Sequence, residues 1–176
     1  SLLGVGALLG NRILANPLLN ITEKGMQYRQ LPSGDRISTI GLGVSKLGAS
    51  SNEDIKRIVD MAIEHGVNVI DTIVSDDRTV VPIIQAIQGK RDKVLLQMHL
   101  CIQYPRHTYS VTRSLETVKK AFQEELRKWG TDYADIGLIH MIDSDSTYRR
   151  VVDAGIMDYA MQLKREGVIR NIGFSS

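Results

Sequence analysis

The feature that most constrains this chain is a repeated switch in the period of its apolar residues. Short runs rich in Val, Ile and Leu, bounded by turn residues, alternate with longer segments in which apolar positions recur every three or four residues. Thr39–Gly43 (TIGLG), Val67–Asp71, Val94–Leu100, Tyr133–Met141 (YADIGLIHM) and Val168–Phe174 (VIRNIGF) read as strands. After the capping run Ser50-Ser51-Asn52, residues Ile55, Ile58, Val59, Ala62 and Ile63 fall on one helical face. Val80, Ile83, Ile84 and Ile87 mark a second helix. Leu115, Val118, Phe122, Leu126 and Trp129 line a third, capped by Ser114. A single fourth helix is expected from about Arg149 to Glu166. Strands alternating with helices predict an α/β fold with a parallel sheet.

Periodicity alone leaves a doubly wound open sheet and a (β/α)8 barrel both open. Gly41-Leu42-Gly43 continues into Val44-Ser45-Lys46, so the third glycine of a dinucleotide-binding turn is missing. Ahead of the first strand, Met26–Leu31 and Arg36–Ser38 flank the turn cluster Pro32-Ser33-Gly34-Asp35, which predicts a hairpin. A hairpin in that position can plug the bottom of a barrel. These hints point toward a partial (β/α)8 TIM barrel entered through an N-terminal β-hairpin, with an open sheet still allowed. Five units fall short of the ~250 residues that a closed barrel typically takes. The first and fifth strands would keep open edges. The chain is therefore expected to be a shortened product or part of a larger polypeptide, with the rest of the barrel or a second copy as partner.

Charge argues against a nucleic-acid partner: 22 basic and 20 acidic residues leave a net charge of +2, with no basic stripe. The single cysteine, Cys101, rules out an internal disulfide, and no zinc-finger spacing occurs. Ser1–Gly10 (SLLGVGALLG) is apolar but shorter than the ~20 residues of a bilayer span. It reads as the h-region of a secretory signal lacking its charged n-region. Cytoplasmic and exported locations both stay open. Asn11–Gly25 reads as a linker, which divides the chain into residues 1–25 and a domain over 26–176.

Candidate functional residues follow from strand geometry. Asp71 ends the second strand. His99 follows Leu95 and Gln97, and His140 follows Ile136 and Leu138, each at the two-residue period of a strand. All three are expected to point inward at C-terminal strand ends, where barrel active sites gather. The plainer readings are an Asp71 bonded to loop backbone and a His140 satisfied in the core. Another reading makes Asp71, His99 and His140, with Asp76 or Asp77, the ligands of a divalent metal in a hydrolase, although no paired His-x-His spacing supports it. Tyr104 and Tyr109, in the loop after the third strand, could reach the mouth and make good a lost proton donor, but with His107 they are expected to be surface residues, and Lys46 a solvated lysine.

Four segments in order resemble the aldo/keto reductase family: Met26–Gly43 (MQYRQLPSGDRISTIGLG), Ile63–Thr72 (IEHGVNVIDT), Gly130–His140 (GTDYADIGLIH) and Leu163–Ser176 (LKREGVIRNIGFSS). The resemblance implies a barrel that binds NADP(H) without a Rossmann domain and transfers hydride to a small aldehyde or ketone. It also implies a tetrad of Asp, Tyr, Lys and His, in which the Tyr protonates the nascent alkoxide. The Asp falls on Asp71 and the His on His140. Asp76 stands where the Tyr is expected, and His99 where the Lys is expected. Ser175 and Ser176 fall on the pair that contacts the nicotinamide carboxamide. Most phosphate contacts in the family come from later segments. With two tetrad members replaced, the resemblance leaves open an inactive enzyme and a non-catalytic, nucleotide-sensing or regulatory barrel module.

Overall fold

A computed structural model describes residues 21–176 other than Lys24, Val74 and Ser75. The apolar N-terminal run and most of the expected linker lie outside the described residues.

Five parallel strands form the main sheet: β4 (Leu42–Gly43), β5 (Val69–Asp71), β6 (Leu95–Leu100), β9 (Ala134–Ile139) and β10 (Ile169–Phe174), in the order β10-β9-β6-β5-β4. Apart from the paired helices before β10, each crossover contributes one main helix: α1 (Asn52–Glu64), α2 (Asp77–Ile87) and α3 (Leu115–Lys128). This is the strand order of a barrel wall laid down in sequence. Leu96, Met98, Leu100 and Ile139 are fully buried on the convex face, packed with Ile55, Val59, Ile83 and Phe122 of the helices. The concave face carries Asp71, Gln97 and His99 among partly exposed Leu95 and Leu138. Burial of the convex face alone explains why each helix shows one apolar stripe.

The helices begin where side-chain oxygens can take up unpaired backbone N–H groups. Ser51 accepts from the Asp54 amide, Asp76 from Thr79, Ser114 from Thr117 and Ser144 from Thr147. The expected fourth helix is in fact two, α4 (Asp145–Asp153) and α5 (Ile156–Arg165). Gly155 separates them with φ +71°, a left-handed conformation that glycine adopts without a Cβ clash. The apolar period runs on across the break, through Val151, Ile156, Tyr159, Ala160 and Leu163, so it gives no sign of the change in axis.

The hairpin is present as β2 (Met26–Gln30) and β3 (Arg36–Ser38), antiparallel with Tyr28 opposite Ser38. Ile21–Glu23, read as linker, adds strand β1 to it. The hairpin lies across the N-terminal ends of the barrel strands. Tyr28 Oη donates to the Gly66 carbonyl at 2.7 Å. Asn68 Oδ1 accepts from the Ser38 amide at 2.8 Å. At the turn, the Ser33 amide donates to Asn171 Oδ1 at 3.2 Å.

Asp135 is the node beneath the sheet, 1% exposed at the start of β9. Its carboxylate accepts from the Leu96 amide at 2.9 Å, from Arg91 Nη2 at 2.8 Å and from Arg170 Nη1 at 3.3 Å. Both guanidinium groups also lie over the Tyr133 ring, at 4.6 and 4.3 Å. Removing a buried partner of this kind leaves an orphaned amide and costs about 3 kcal/mol. Asp135→Ala is expected to lower unfolding free energy by about that amount. Chemical denaturation with an unchanged slope checks it, and a loss under ~0.5 kcal/mol would show that the node carries little.

Candidate active site

Parallel strands in this register bring their C-terminal ends to one edge, and three of the sequence-selected residues meet there. Asp71 lies opposite Gln97 across the β5–β6 pair, and His99 opposite Leu138 across β6–β9. Gln97 Nε2 donates to Asp71 Oδ2 at 2.9 Å, and His99 Nε2 stands 2.9 Å from Asp71 Oδ1. The Ile73 amide donates to the same carboxylate at 3.2 Å. Burial raises the Asp71 pKa, but His99, Ile73 and Gln97 outweigh it and hold the carboxyl below its ordinary range. Asp71 is thus an anion clamped on His99, bonded to loop backbone as well as to side chains.

His140 follows β9, and its amide continues the ladder to the Leu100 carbonyl at 3.1 Å. Its ring meets that of His99 edge to face at 5.0 Å. Nδ1 lies 2.7 Å from Ser175 Oγ, and Nε2 lies 2.6 Å from Tyr109 Oη. Burial, then the charges of His99 and Arg113, push its pKa below the ordinary histidine value, against Asp71 and Asp143. The ring is therefore neutral near pH 7, with one nitrogen donating and the other accepting.

Tyr109, expected on the surface, is 46% exposed, yet its hydroxyl reaches the site. The loop after the third strand folds into a small antiparallel hairpin, β7 (Ile102–Gln103) with β8 (Ser110–Val111). Cys101, at φ +72°, turns the chain back over the strand ends, and its carbonyl accepts from the Thr112 amide at 2.9 Å. Arg113 Nη2 then holds the carbonyls of His140 and Met141 at 2.9 and 2.8 Å, fixing Met141 at φ +58°. Strained non-glycine residues thus flank both histidines, a pattern found where surrounding structure over-determines a functional site. No sequence signal gave the Tyr109–His140 contact. His107 remains exposed at the hairpin tip.

Asp76 is not brought into the group. Its carboxylate accepts from the Thr79 amide and from Thr79 Oγ1 at 2.8 Å, and so serves as the cap of α2. Asp77 pairs with Lys128 at 2.9 Å. Among the described residues no group of three His, Cys, Asp or Glu side chains is arranged to hold a metal. Asp71 and His99 spend their facing atoms on each other. Ser175 joins the site through His140, while Ser176 is exposed beside it.

Behind β6 lies another carboxylate that the sequence did not single out. Glu125 of α3 accepts from Thr72 Oγ1 at 2.8 Å. It lines a cleft of about 690 Å³ between α3 and the β7–β8 hairpin, with Ile102, Tyr104, Lys120 and Lys128. Asp71, His99 and His140 do not line this cleft. Burial raises the Glu125 pKa to about 8, with the Asp71 charge adding to it against the Thr72 hydrogen bond. A carboxyl raised from 4.5 stabilises the fold fully below that value, and the contribution is lost as pH rises through about 8. Glu125→Gln is therefore expected to match the wild type in melting temperature at pH 4 to 5 and to exceed it increasingly up to pH 8. A pH-independent difference in melting temperature would contradict this.

Comparisons with other proteins bear on the fold and the family. The model of the aldo/keto reductase family matches residues 39–176. An aldo-keto reductase-type protein of Pseudomonas aeruginosa superposes with a TM-score of 0.73 over 85% of this chain and 60% of its own, a likeness of fold at 22% identity. The holo form of an aldo-keto reductase from Bacillus halodurans gives a TM-score of 0.68 at 28% identity, over 86% of this chain and 50% of its own. An aldo/keto reductase from Klebsiella pneumoniae, in complex with NADP and acetate, gives 0.58 at 28% identity, over 81% and 47%. The chain thus spans 60% or less of the length of these relatives. No curated protein matches it.

Proposed function

The chain belongs to the aldo/keto reductase family, and from that premise we propose that its site serves NADPH-dependent reduction of a small aldehyde or ketone. The observation that carries this reading is the meeting of an anionic Asp71, bonded to His99, with a neutral His140 and Ser175 at adjacent C-terminal strand ends. His140 is placed to orient the Tyr109 and Ser175 hydroxyls at the mouth where a carbonyl would bind. Asp71 fixes the His99 ring, an imidazole where the resemblance calls for a lysine, and one that carries charge only when protonated.

The end of β10 suits the carboxamide of a nicotinamide. The Ser175 amide donates to the Ile139 carbonyl, and the Ser175 carbonyl accepts from the Ile142 amide. Its backbone is therefore committed, and its hydroxyl is held at the site by His140. Ser176, exposed beside it, offers a second hydroxyl. When bound, the cofactor supplies a hydride. Its phosphates would need contacts from beyond these strand ends, which fits with the remainder of a barrel, or a partner copy, completing the site.

The full-length protein is expected to bind one NADPH per chain by calorimetry and to oxidise it in the presence of a simple aldehyde. His140→Ala should lower turnover by about 10²–10⁴-fold while leaving NADPH affinity within a few-fold. Binding without turnover would favour a nucleotide-sensing module instead. No binding would remove the cofactor from this reading altogether.

A further inference from the structure

Reduction of a carbonyl by hydride leaves an oxygen that must receive a proton, and the position expected to supply it holds a carboxylate already committed to capping α2. The groups at the strand ends differ in what they can give. Asp71 is held as an anion. His99 is 3% exposed, with Nε2 facing Asp71 and Nδ1 buried without a partner among the described residues. His140 is buried, with both ring nitrogens engaged. Tyr109 brings a phenolic proton to this edge, and the residue is 46% exposed. Its hydroxyl lies 2.6 Å from His140 Nε2, and its ring stands nearly perpendicular to the imidazole at 5.9 Å.

Resting on the function proposed above, we propose that Tyr109, delivered by the hairpin after the third strand, is the proton donor of this site. A bound reduced nicotinamide would supply the hydride for the new C–H bond at the carbonyl carbon. The C=O π pair moves to oxygen and takes the phenolic proton of Tyr109, whose O–H bond breaks. The products are an alcohol, the oxidised nicotinamide and a tyrosinate. The tyrosinate regains a proton through His140, which exchanges with solvent by way of Ser175 at the open end of β10. Burial raises the Tyr109 pKa, and the guanidinium of Arg113, anchored on the His140 and Met141 carbonyls, works against that rise. The hairpin geometry makes this assignment specific, because Cys101 and Arg113 hold its two ends to the strand edge.

Tyr109→Phe keeps the ring and its packing and removes only the hydroxyl. The test compares full-length wild type and Y109F in NADPH affinity, in single-turnover aldehyde reduction across pH, and in the imidazole nitrogen resonances of His140. Y109F is expected to bind NADPH within twofold of wild type and to slow the hydride step by about 100-fold or more. It should also lose the alkaline limb of the pH profile and shift the His140 resonances. A variant rate within threefold of wild type, or an unchanged alkaline limb, overturns the assignment while the function stands. A wild type that binds NADPH and reduces no aldehyde also overturns it. Failure of both proteins to bind NADPH sinks the proposed function itself, and with it this donor.

Discussion

The buried carboxylate of Asp135 is the interaction on which the rest of this structure depends. It takes the Leu96 amide of β6, the Arg170 side chain of β10 and the Arg91 side chain before β6. Its own carbonyl accepts from Asn171 Nδ2, and Asn171 in turn fastens Ser33 of the hairpin turn. Three strands and the bottom plug therefore share one node. A one-residue slip in a parallel pair would turn every side chain to the other face. With the start of β9 pinned, Gln97 must face Ile136 and His99 must face Leu138. The site at one end is thus set by ion pairs at the other, five residues of β9 away at ~3.3 Å per residue.

The sheet divides its two faces between stability and chemistry. On the convex side apolar residues are buried against helices, the arrangement that supplies most folding free energy. On the concave side polar groups are satisfied pairwise: Asp71 by His99 and Gln97, His140 by Tyr109 and Ser175, Asn171 by Ser33 and the Asp135 carbonyl. Pairing removes most of the desolvation cost of buried polar groups. His99 Nδ1 stays outside this accounting. The left-handed turns at Cys101 and Met141 are where the convex packing ends and the polar edge begins.

Much of this was legible in the sequence because it depends on local chemistry. Strand and helix alternation, the Ser51 and Ser114 caps and the β2–β3 hairpin follow from period and turn residues. The inward direction of Asp71, His99 and His140 follows from the two-residue repeat. The break at Gly155 did not show, because apolar spacing continues through it and an isolated glycine inside a helical pattern is usually tolerated. Asp76 carried a legible signal, an aspartate three residues before Thr79 at a helix start, but its alignment with an expected tyrosine hid the capping role. The Tyr109–His140 contact spans 31 residues and is made by the fold of a short hairpin, for which no local pattern exists.

With His99 where the resemblance implies a lysine, positive charge would have to reach this site from elsewhere. An ammonium would be a standing cation near the reacting oxygen, whereas an imidazole bonded to Asp71 serves first to position that carboxylate. Arg113 could supply that charge from another direction. A guanidinium stays protonated at any working pH, so its influence on the His140 and Tyr109 pKa values, downward in both cases, does not depend on conditions. The same side chain closes the left-handed turn at Met141 by holding two consecutive carbonyls. Backbone strain, charge and the reach of the third hairpin are therefore coupled through one residue. A phenol arriving from this hairpin and a cation arriving from its far end would come as a unit, so a proton donor and its neighbouring charge would be gained or lost together.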